Sequence, residues 1–246
     1  KNQWKKFCKL VTPGENTPWW LKSYASSSCA IIREKGPFFD IYITGRDHKN
    51  RSRIGKALWN AESPYKILSY EDDPCLDLGM TGSFYNSGTS YPSVIQYHNF
   101  KLMFFTGWKT DEKYNFVNKL GVAAYCNKDQ KFHSISSNPL FDIIKDENYG
   151  TGTSFCFFDT MKKKYKIIYS SFSKWLKIKN RYYPQYHLKI ASEEDFLNFK
   201  RPGKMVLSLK NLDTSLTCRP SLSETGELYF CSRGIGSKYN IYAAKK

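Results

Sequence analysis

The chain has 246 residues, of which 41% are apolar and 24% are charged, and it contains six Trp, eighteen Tyr and seventeen Phe. This composition excludes a disordered or collagen-like chain and is sufficient for one large domain with a buried core. No stretch approaches the roughly 18 apolar residues of a membrane span, and residues 1–9 lack the apolar segment of an export signal. We therefore expect a cytoplasmic protein without a membrane span.

The charge balance indicates the sign of a ligand. Lys and Arg together number 38 against 22 acidic residues, which gives a formal net charge of +16. Such a field favours anionic partners, although lysines that accumulate through compositional bias on solvated faces would give the same total. The basic residues are scattered along the chain, whereas nucleic-acid-binding proteins concentrate them on one face, so the pattern disfavours a nucleic-acid partner.

The cysteines and histidines give no sign of a metal site. The seven cysteines form no C-x-x-C pair, which is typical of free thiols in a reducing compartment. The four histidines, His48, His98, His133 and His187, have no ligand spacing. The chain also contains no nucleotide-binding fingerprint and no phosphate-cradling glycine loop. We therefore predict no metal and no cofactor.

Four units that share one pattern of three short strands follow one another along the chain. The first unit predicts strands at Ser28–Ile32, Asp40–Arg46 and Ile54–Ala57. The second predicts strands at Tyr91–Tyr97, Lys101–Trp108 and Leu120–Ala123. The third predicts strands at Thr153–Phe158, Lys164–Ser171 and Leu188–Ala191. The fourth predicts strands at Cys218–Leu222, Glu227–Arg233 and Ile241–Ala244.

The connections within each unit favour an all-β propeller. They carry turn signals and are too short for crossover helices, so each unit is an antiparallel sheet of three or four strands, as in a propeller blade. A β-sandwich is the alternative. A small residue recurs at one place in every unit, as stacked repeats require, and this favours the propeller: Ala57, Ala123, Ala191 and Ala243 or Ala244. We predict one domain over 1–246, with repeats at about 24–60, 84–126, 150–192 and 214–246.

Short motifs in the same order and spacing resemble a known family. They are Thr44–Gly55, Gly82–Gly88, Phe105–Trp108, Lys119–Ala123, Arg219–Pro220 and Ser232–Gly234. Together they resemble the five-bladed β-propellers of the arabinanase, levansucrase and invertase superfamily, and are most similar to an uncharacterised glycosidase-like branch associated with bacterial surface-polysaccharide genes. The resemblance covers nearly the whole chain and implies a carbohydrate ligand.

The sequence departs from that family in two places. Tyr85 and Asn86 stand where the branch usually has a pair of aspartates. Relatives continue into a fifth blade after the strand that corresponds to 239–244, whereas only four blade-like repeats are visible here. We therefore expect a five-bladed type of propeller whose last blade is incomplete or missing.

The first strand of each blade lines the central funnel, so the residues that open these strands should converge on a ligand. They are hydroxyls and one guanidinium: Ser26–Ser28, Ser90–Tyr91, Thr153–Ser154 and Thr217–Arg219. Glycoside hydrolysis normally needs two carboxyl groups. We assign Asp47 and Glu147 as candidate acid and base, with Asp40, Asp77 and Asp146 as further candidates. For each, a solvated loop carboxylate is the alternative, and Asp47 could instead pair with Arg46.

Three arginines and several aromatic residues are candidate binding groups. Arg46 and Arg233 end equivalent strands, and with Arg219 they would form a cluster for bidentate capture of carboxylate or phosphate. The alternative is three arginines that are paired separately. Trp108 offers a face for sugar stacking, with a core role as its alternative. We also predict substrate contacts from Ser90 and Tyr91, and weaker ones from Trp175 and Tyr183.

The leading functional prediction is a glycosidase-like protein that acts in the funnel on an anionic or phosphate-linked glycan. The resemblance implies the carbohydrate, and the charge and the arginines indicate the anion. The alternative is a non-catalytic propeller that binds a glycan or nucleotide sugar and has lost the hydrolytic carboxylates, which Tyr85 and Asn86 favour. A protein-interaction propeller would instead present an apolar rim and no convergent polar pocket.

Overall fold

The structure is a computed structural model that describes residues 8–112, 115–178, 180–195, 197–207, 216–234 and 238–245. Residues 214–215, 235–237 and 246 of the fourth predicted repeat lie outside the described residues, as do the side chains of Ser27 and Ser28. The regular structure of the described ranges is β-strand. None of it contains a helix with the length and apolarity that crossing a bilayer requires.

Consecutive strands pair antiparallel into four units, here named blades 1 to 4. Blade 1 contains β1 (Tyr24–Ile32), β2 (Phe38–Arg46), β3 (Ser52–Asn60) and β4 (Ile67–Tyr70). Blade 2 contains β5 (Gly88–Tyr97), β6 (Phe100–Asp111), β7 (Asn115–Cys126) and β8 (Lys131–Ser134). Blade 3 contains β9 (Thr151–Asp159), β10 (Lys164–Ile178), β11 (Arg181–Glu193) and β12 (Lys204–Met205). Blade 4 contains β13 (Leu216–Leu222), β14 (Leu228–Arg233) and β15 (Asn240–Ala244). The twelve strands predicted from the sequence are confirmed.

Neighbouring blades are joined in one repeated way. The third strand of a blade meets the first strand of the next in a single parallel bridge: Ser52 with Gly88, Asn118 with Gly150, and Tyr186 with Leu216. This repetition sets the blades side by side, as in a propeller, and excludes two face-packed sheets. Among the described strands none pairs blade 4 with blade 1, so the ring is open, as expected for an incomplete last blade.

Most of the core clusters join neighbouring blades, and small residues are packed in two of them. Ala57, Ala123 and Ala191 are buried, each in a different apolar cluster. Ala191 packs in a cluster that joins Phe104 of blade 2 to Ile167 of blade 3. A larger side chain at Ala123 or Ala191 would push neighbouring blades apart, because protein interiors are close-packed. Ala57 instead packs within blade 1, and at the fourth predicted position Ala243 is exposed and Ala244 is half-buried.

Bulges in the first strands of blades 2 and 4 re-aim two side chains. The pairing of β5 with β6 shifts register between Ser90 and Ser93, and that of β13 with β14 shifts between Cys218 and Ser221. Inside these bulges Tyr91 and Arg219 adopt positive φ angles of 56° and 55°. Because a bulge re-aims a side chain, the two bulges turn a ring and a guanidinium toward one place.

Two glycine sites accept an aromatic ring from the segment that precedes each blade. A Cβ at Gly55 would lie 2.2 Å from the ring of Trp20, and a Cβ at Gly121 would lie 2.5 Å from the ring of Phe84. Trp20 is fully buried and its indole N–H donates to the carbonyl of Glu71 (3.0 Å). These contacts give a physical reason for the glycines in the Thr44–Gly55 and Lys119–Ala123 motifs.

Replacing Gly55 by alanine is therefore expected to lower the free energy of unfolding by about 1–3 kcal/mol, because the added methyl group overpacks the Trp20 contact. Urea denaturation measures this change. Gly14→Ala is the matched control, since no atom lies within 4 Å of the added carbon, and it should change stability by less than about 0.5 kcal/mol. Equal stability of the two variants would contradict the packing described here.

Candidate functional site

A cavity of about 270 Å³ lies where the first strands of blades 2, 3 and 4 begin. Its described lining contains two arginines, Arg219 and Arg233, and three uncharged polar side chains, Asn118, Thr153 and Ser170. Seven aromatic residues form most of the remaining wall: Tyr91, Trp108, Phe116, Trp175, Tyr182, Tyr186 and Tyr239. The described lining contains no carboxylate. Such a cavity suits a small ligand with an apolar face and a negative charge.

Trp108 is held at the wall by a hydrogen bond and by ring contacts. Its indole N–H donates to the hydroxyl of Ser90, which is itself buried. The Phe116 ring packs edge-on against Trp108 at a centroid distance of 4.9 Å and against Trp175 at 5.1 Å. Ser90 therefore positions Trp108 and is not among the residues that line the cavity.

The hairpin of β10 and β11 supplies a wall that the sequence reasoning identified only in part. Strand β10 continues to Ile178 and β11 begins at Arg181, so the hairpin is longer than predicted. Tyr182, Pro184 and Tyr186 line the cavity, whereas Tyr183 does not. Because alternate residues of a strand face the same side, the spacing of two at 182, 184 and 186 was the signal that could have identified this wall.

The two arginines of the cavity lie around one tyrosine. The Cζ atoms of Arg219 and Arg233 are 5.3 Å and 4.5 Å from the ring centroid of Tyr239, and Arg219 is also 5.6 Å from the ring of Tyr91. Within the part of the chain that the structure describes, no carboxylate pairs with either guanidinium. Arg219 also donates a hydrogen bond to the Tyr91 hydroxyl, and no acid among the described residues competes with an anion for the remaining donors.

Burial keeps the surrounding phenols neutral. It raises the pKa of Tyr239 to about 12, and it also raises the pKa values of Tyr91 and Tyr186 above their ordinary value. Burial acts to lower the pKa of Arg219, but the neighbouring Tyr91, Cys218 and Tyr24 together outweigh it and the net shift is upward. At neutral pH the cavity therefore holds positive charge without a compensating phenolate.

A buried amide adds an unpaired acceptor to the cavity. Asn118 is 2% exposed, and its side-chain N–H donates to the hydroxyl of Tyr186 (3.3 Å). Its Oδ1 atom has no hydrogen-bond partner in the protein. Because a buried polar atom without a partner is costly, this oxygen is suited to accept a hydrogen bond from a ligand hydroxyl.

Comparison with known proteins places this geometry in a recognised fold. No protein-family model matches the chain. The sequence is 27% identical over 244 residues to the uncharacterized protein MT1551 of Mycobacterium tuberculosis (strain CDC 1551 / Oshkosh), covering 98% of this chain and 79% of that protein. A thermostable family-43 glycoside hydrolase aligns with a TM-score of 0.64 and 14% identity, covering 91% of this chain and 72% of that one. Sucrose-6-phosphate hydrolase from Lactobacillus gasseri aligns with a TM-score of 0.64 and 13% identity, covering 85% of this chain and 40% of that one. This chain has the β-propeller fold of these glycoside hydrolases.

The predicted resemblance to this propeller superfamily is thereby confirmed at the level of the fold. The glycosidase-like propeller brings together four of the side chains that the sequence assigned to binding: Tyr91, Trp108, Arg219 and Arg233.

Arg46 has different contacts from the two predicted arginines that line the cavity. Its guanidinium is 4.7 Å from the ring of Tyr24 and donates to Asn50 Oδ1 at 3.1 Å. It does not line the cavity, because the described lining residues all come from blades 2, 3 and 4 whereas Arg46 ends β2 of blade 1. The predicted cluster of three arginines is therefore a pair in this structure.

Asp47 is neutralised by two arginines of its own loop. It is 6% exposed, and its carboxylate accepts from the backbone N–H of Arg51 (2.9 Å), from Arg51 Nε (3.0 Å) and from Arg53 Nη1 (2.7 Å). Burial acts to raise the pKa of Asp47, but these donors outweigh it and the net shift is downward. The partner is thus Arg51 and Arg53, not Arg46, and Asp47 is absent from the cavity lining.

Glu147 is also outside the cavity lining and is fully paired. It has no exposed surface, and its Oε1 atom accepts from the Tyr169 hydroxyl (2.7 Å) and from Lys189 Nζ (3.1 Å). Its Oε2 atom accepts from Nε (2.9 Å) and Nη2 of Arg201. Burial raises the pKa of Glu147, but these partners outweigh it and the net shift is downward. A carboxylate held in this way joins strands and loops of blade 3.

One trio of side chains among the described residues could hold a metal ion. The ligand atoms of Cys126, Asp129 and His133 lie within 4.8 Å of one another at the β7–β8 turn, and His133 Nε2 is 2.7 Å from Asp129 Oδ2. None of the three lines the aromatic cavity, and the His–Asp hydrogen bond and ion pair account for their geometry. The spacing of the histidines alone does not indicate this trio.

Proposed function

We propose that this glycosidase-like propeller binds an anionic carbohydrate, with the sugar against the aromatic wall and the negative group on Arg219 and Arg233. The observation that carries this proposal is the pair of guanidinium groups without a carboxylate partner in a cavity whose described lining contains no acid. A cluster of like charges is unfavourable when it is empty, so an anion that neutralises it gains binding energy.

The carbohydrate part of the proposal rests on the wall and on the amide. Trp108, Phe116 and Trp175 provide flat apolar surface, which suits the C–H face of a sugar ring. Asn118 Oδ1 offers an acceptor for a sugar hydroxyl. The fold is shared with glycoside hydrolases, one of which has a name that specifies a phosphorylated sugar.

Binding without hydrolysis fits this geometry better than hydrolysis does. Two carboxyl groups roughly 5 to 9.5 Å apart normally flank a scissile glycosidic bond. Asp47 and Glu147 each form ion pairs with cationic side chains, and neither lines the cavity. The alternative that the sequence left open, a propeller that kept its pocket and lost the hydrolytic carboxylates, is therefore the function we propose.

Calorimetric titration with four probes tests the proposal: glucose 6-phosphate, glucuronate, glucose and inorganic phosphate. At least one anionic sugar should bind ten times more tightly than glucose and than inorganic phosphate, because it engages both the guanidinium pair and the aromatic wall. Equal binding of glucose would overturn the anionic part, and equal binding of inorganic phosphate would overturn the carbohydrate part.

Hydrolysis is tested separately with aryl glycosides. If the protein turns one over and Asp47→Asn abolishes turnover while the protein stays folded, Asp47 is catalytic and the binding-only proposal is wrong.

A further inference from the structure

A second cavity adjoins the first. It has a volume of about 190 Å³, and its described lining residues are Tyr91, Pro92, Thr153, Ser154, Arg219, Pro220 and Ser221. Tyr91, Thr153 and Arg219 line both cavities. These three residues therefore form the boundary between the two spaces.

The two cavities follow each other along the same three strands. On β9 the first cavity is lined by Gly152 and Thr153, and the second by Thr153 and Ser154. On β13 the lining advances from Cys218 and Arg219 to Pro220 and Ser221. On β5 the lining advances in the same direction, from Tyr91 to Pro92, so the second cavity lies farther along these first strands than the first cavity does.

The chemistry of the second cavity differs from that of the first. It contains no described carboxylate and, apart from Tyr91, no aromatic side chain. Ser154 is 8% exposed, and its hydroxyl has no hydrogen-bond partner in the protein. In contrast, the Thr153 hydroxyl is satisfied, because it contacts Ser170 Oγ at 2.8 Å and accepts from the backbone N–H of Arg219 at 2.8 Å. The unpaired Ser154 hydroxyl indicates a small polar occupant.

We propose that the ligand is a phosphodiester, with a sugar in the first cavity, the phosphate at Arg219 and a small polyol in the second cavity. This inference rests on the proposed binding of an anionic carbohydrate. A carboxylate or a phosphomonoester carries a single substituent and would fill only one of the two spaces. A phosphodiester extends in two directions from its charged centre and keeps two free oxygens for the guanidinium fork.

Matched phosphate probes test the inference on the whole chain. The monoester is glucose 1-phosphate, and the diester is glucose 1-phosphate esterified to glycerol. The protein should bind the diester at least ten times more tightly, because only the diester occupies both cavities. Failure of both probes to bind would overturn the proposed function, whereas equal binding of the two would overturn only the second cavity as a subsite.

A substitution in the second cavity separates the two sites further. Ser221 is exposed at the surface end of this lining, so Ser221→Leu should fill space without disturbing the core. It is expected to weaken diester binding at least tenfold and to leave monoester binding within twofold. Ser69→Leu, at an exposed position of β4 in blade 1, is the control and should change neither affinity.

Ser154→Ala reports on the unpaired hydroxyl itself. This small change creates little strain, and thermal melting of both variants shows whether they are folded. Ser154→Ala should weaken the diester about tenfold with an unchanged monoester affinity. An equal loss for both probes in Ser154→Ala and in Ser221→Leu would show that these residues act on the first cavity, and the diester assignment would be wrong.

Discussion

Replacing Arg219 by methionine is expected to weaken binding of an anionic sugar about 100-fold. Arg219 is the charged side chain that lines both cavities, and its guanidinium has no carboxylate partner among the described residues. A hydrogen bond to a charged group contributes about 1.5–3 kcal/mol, so the loss of a two-bond fork removes at least about 3 kcal/mol, or roughly two factors of ten. Methionine keeps the length and apolar character of the stem, so the loss can be attributed to the charged fork.

Calorimetric titration with the best anionic sugar measures this loss. Arg219→Lys, which keeps the charge but not the fork, should fall between the wild-type protein and Arg219→Met. The matched control is Arg33→Met, which removes the same charge from a surface pair with Asp40 (2.6 Å) and should bind normally. Both variants lower the net charge equally, so an effect of the overall field would appear in both.

Stability of the ligand-free protein provides a second readout. Burial of the Arg219 charge costs free energy, and the contacts with Tyr91 and Tyr239 offset that cost. We therefore expect Arg219→Met to unfold within about 1 kcal/mol of the wild-type protein. Unchanged ligand affinity in a folded Arg219→Met variant would contradict the placement of the anion at Arg219.

The fold could be predicted from the sequence because four repeats carry the same pattern of strands and turns. Ala57, Ala123 and Ala191 recur at one strand position, and all three are buried. A single unit would be ambiguous between a sandwich and a propeller. The fourth strands β4, β8 and β12 were not predicted separately, because they are short and pair only along the outer edge of a blade.

Some cavity residues could be predicted because they occupy equivalent strand positions in different blades. Trp108 and Arg233 end equivalent strands and both line the cavity, as does Arg219 at a strand opening. Arg46 occupies the same place in blade 1, yet it lies elsewhere because the cavity is enclosed by the other three blades. Residues at equivalent positions of different blades have side chains in the same direction relative to their own blade. The position of an enclosed cavity depends instead on how the blades meet.

The ion pairs of Glu147 could not be predicted, because its partners are distant in sequence. Glu147 meets Lys189 and Arg201, which are 42 and 54 residues away. No local pattern distinguishes such a carboxylate from a catalytic one. Perturbed carboxylates are frequent at active sites, but structural ion pairs perturb them in the same direction, and the cavity lining is what separates the two cases here.

Replacing Glu147 by glutamine is expected to lower the free energy of unfolding by about 3–5 kcal/mol. The substitution removes the charge that neutralises Lys189 and Arg201, whose side chains are 14% and 9% exposed, and it leaves two cations together in a buried place. Urea denaturation at pH 7 measures the change. Asp73→Asn is the control, because its pair with Lys131 (3.4 Å) is exposed and should contribute less than about 1 kcal/mol.

The same variant should also flatten the dependence of stability on pH. The folded protein holds the pKa of Glu147 below its ordinary value, so the unfolded chain binds more protons on the acidic side. The stability that this carboxylate contributes is complete above the unfolded pKa of about 4.3 and is lost as the pH falls through the folded value. The difference between the wild-type protein and Glu147→Gln should therefore be largest at neutral pH and shrink below about pH 4.

Ligand binding by Glu147→Gln then distinguishes a structural carboxylate from a catalytic one. Because Glu147 does not line the cavity, the variant should bind an anionic sugar with wild-type affinity at a temperature where it is folded. If the variant is instead as stable as the wild-type protein but has lost binding or turnover, then Glu147 acts on the ligand, and the buried ion pairs are not what determines its role.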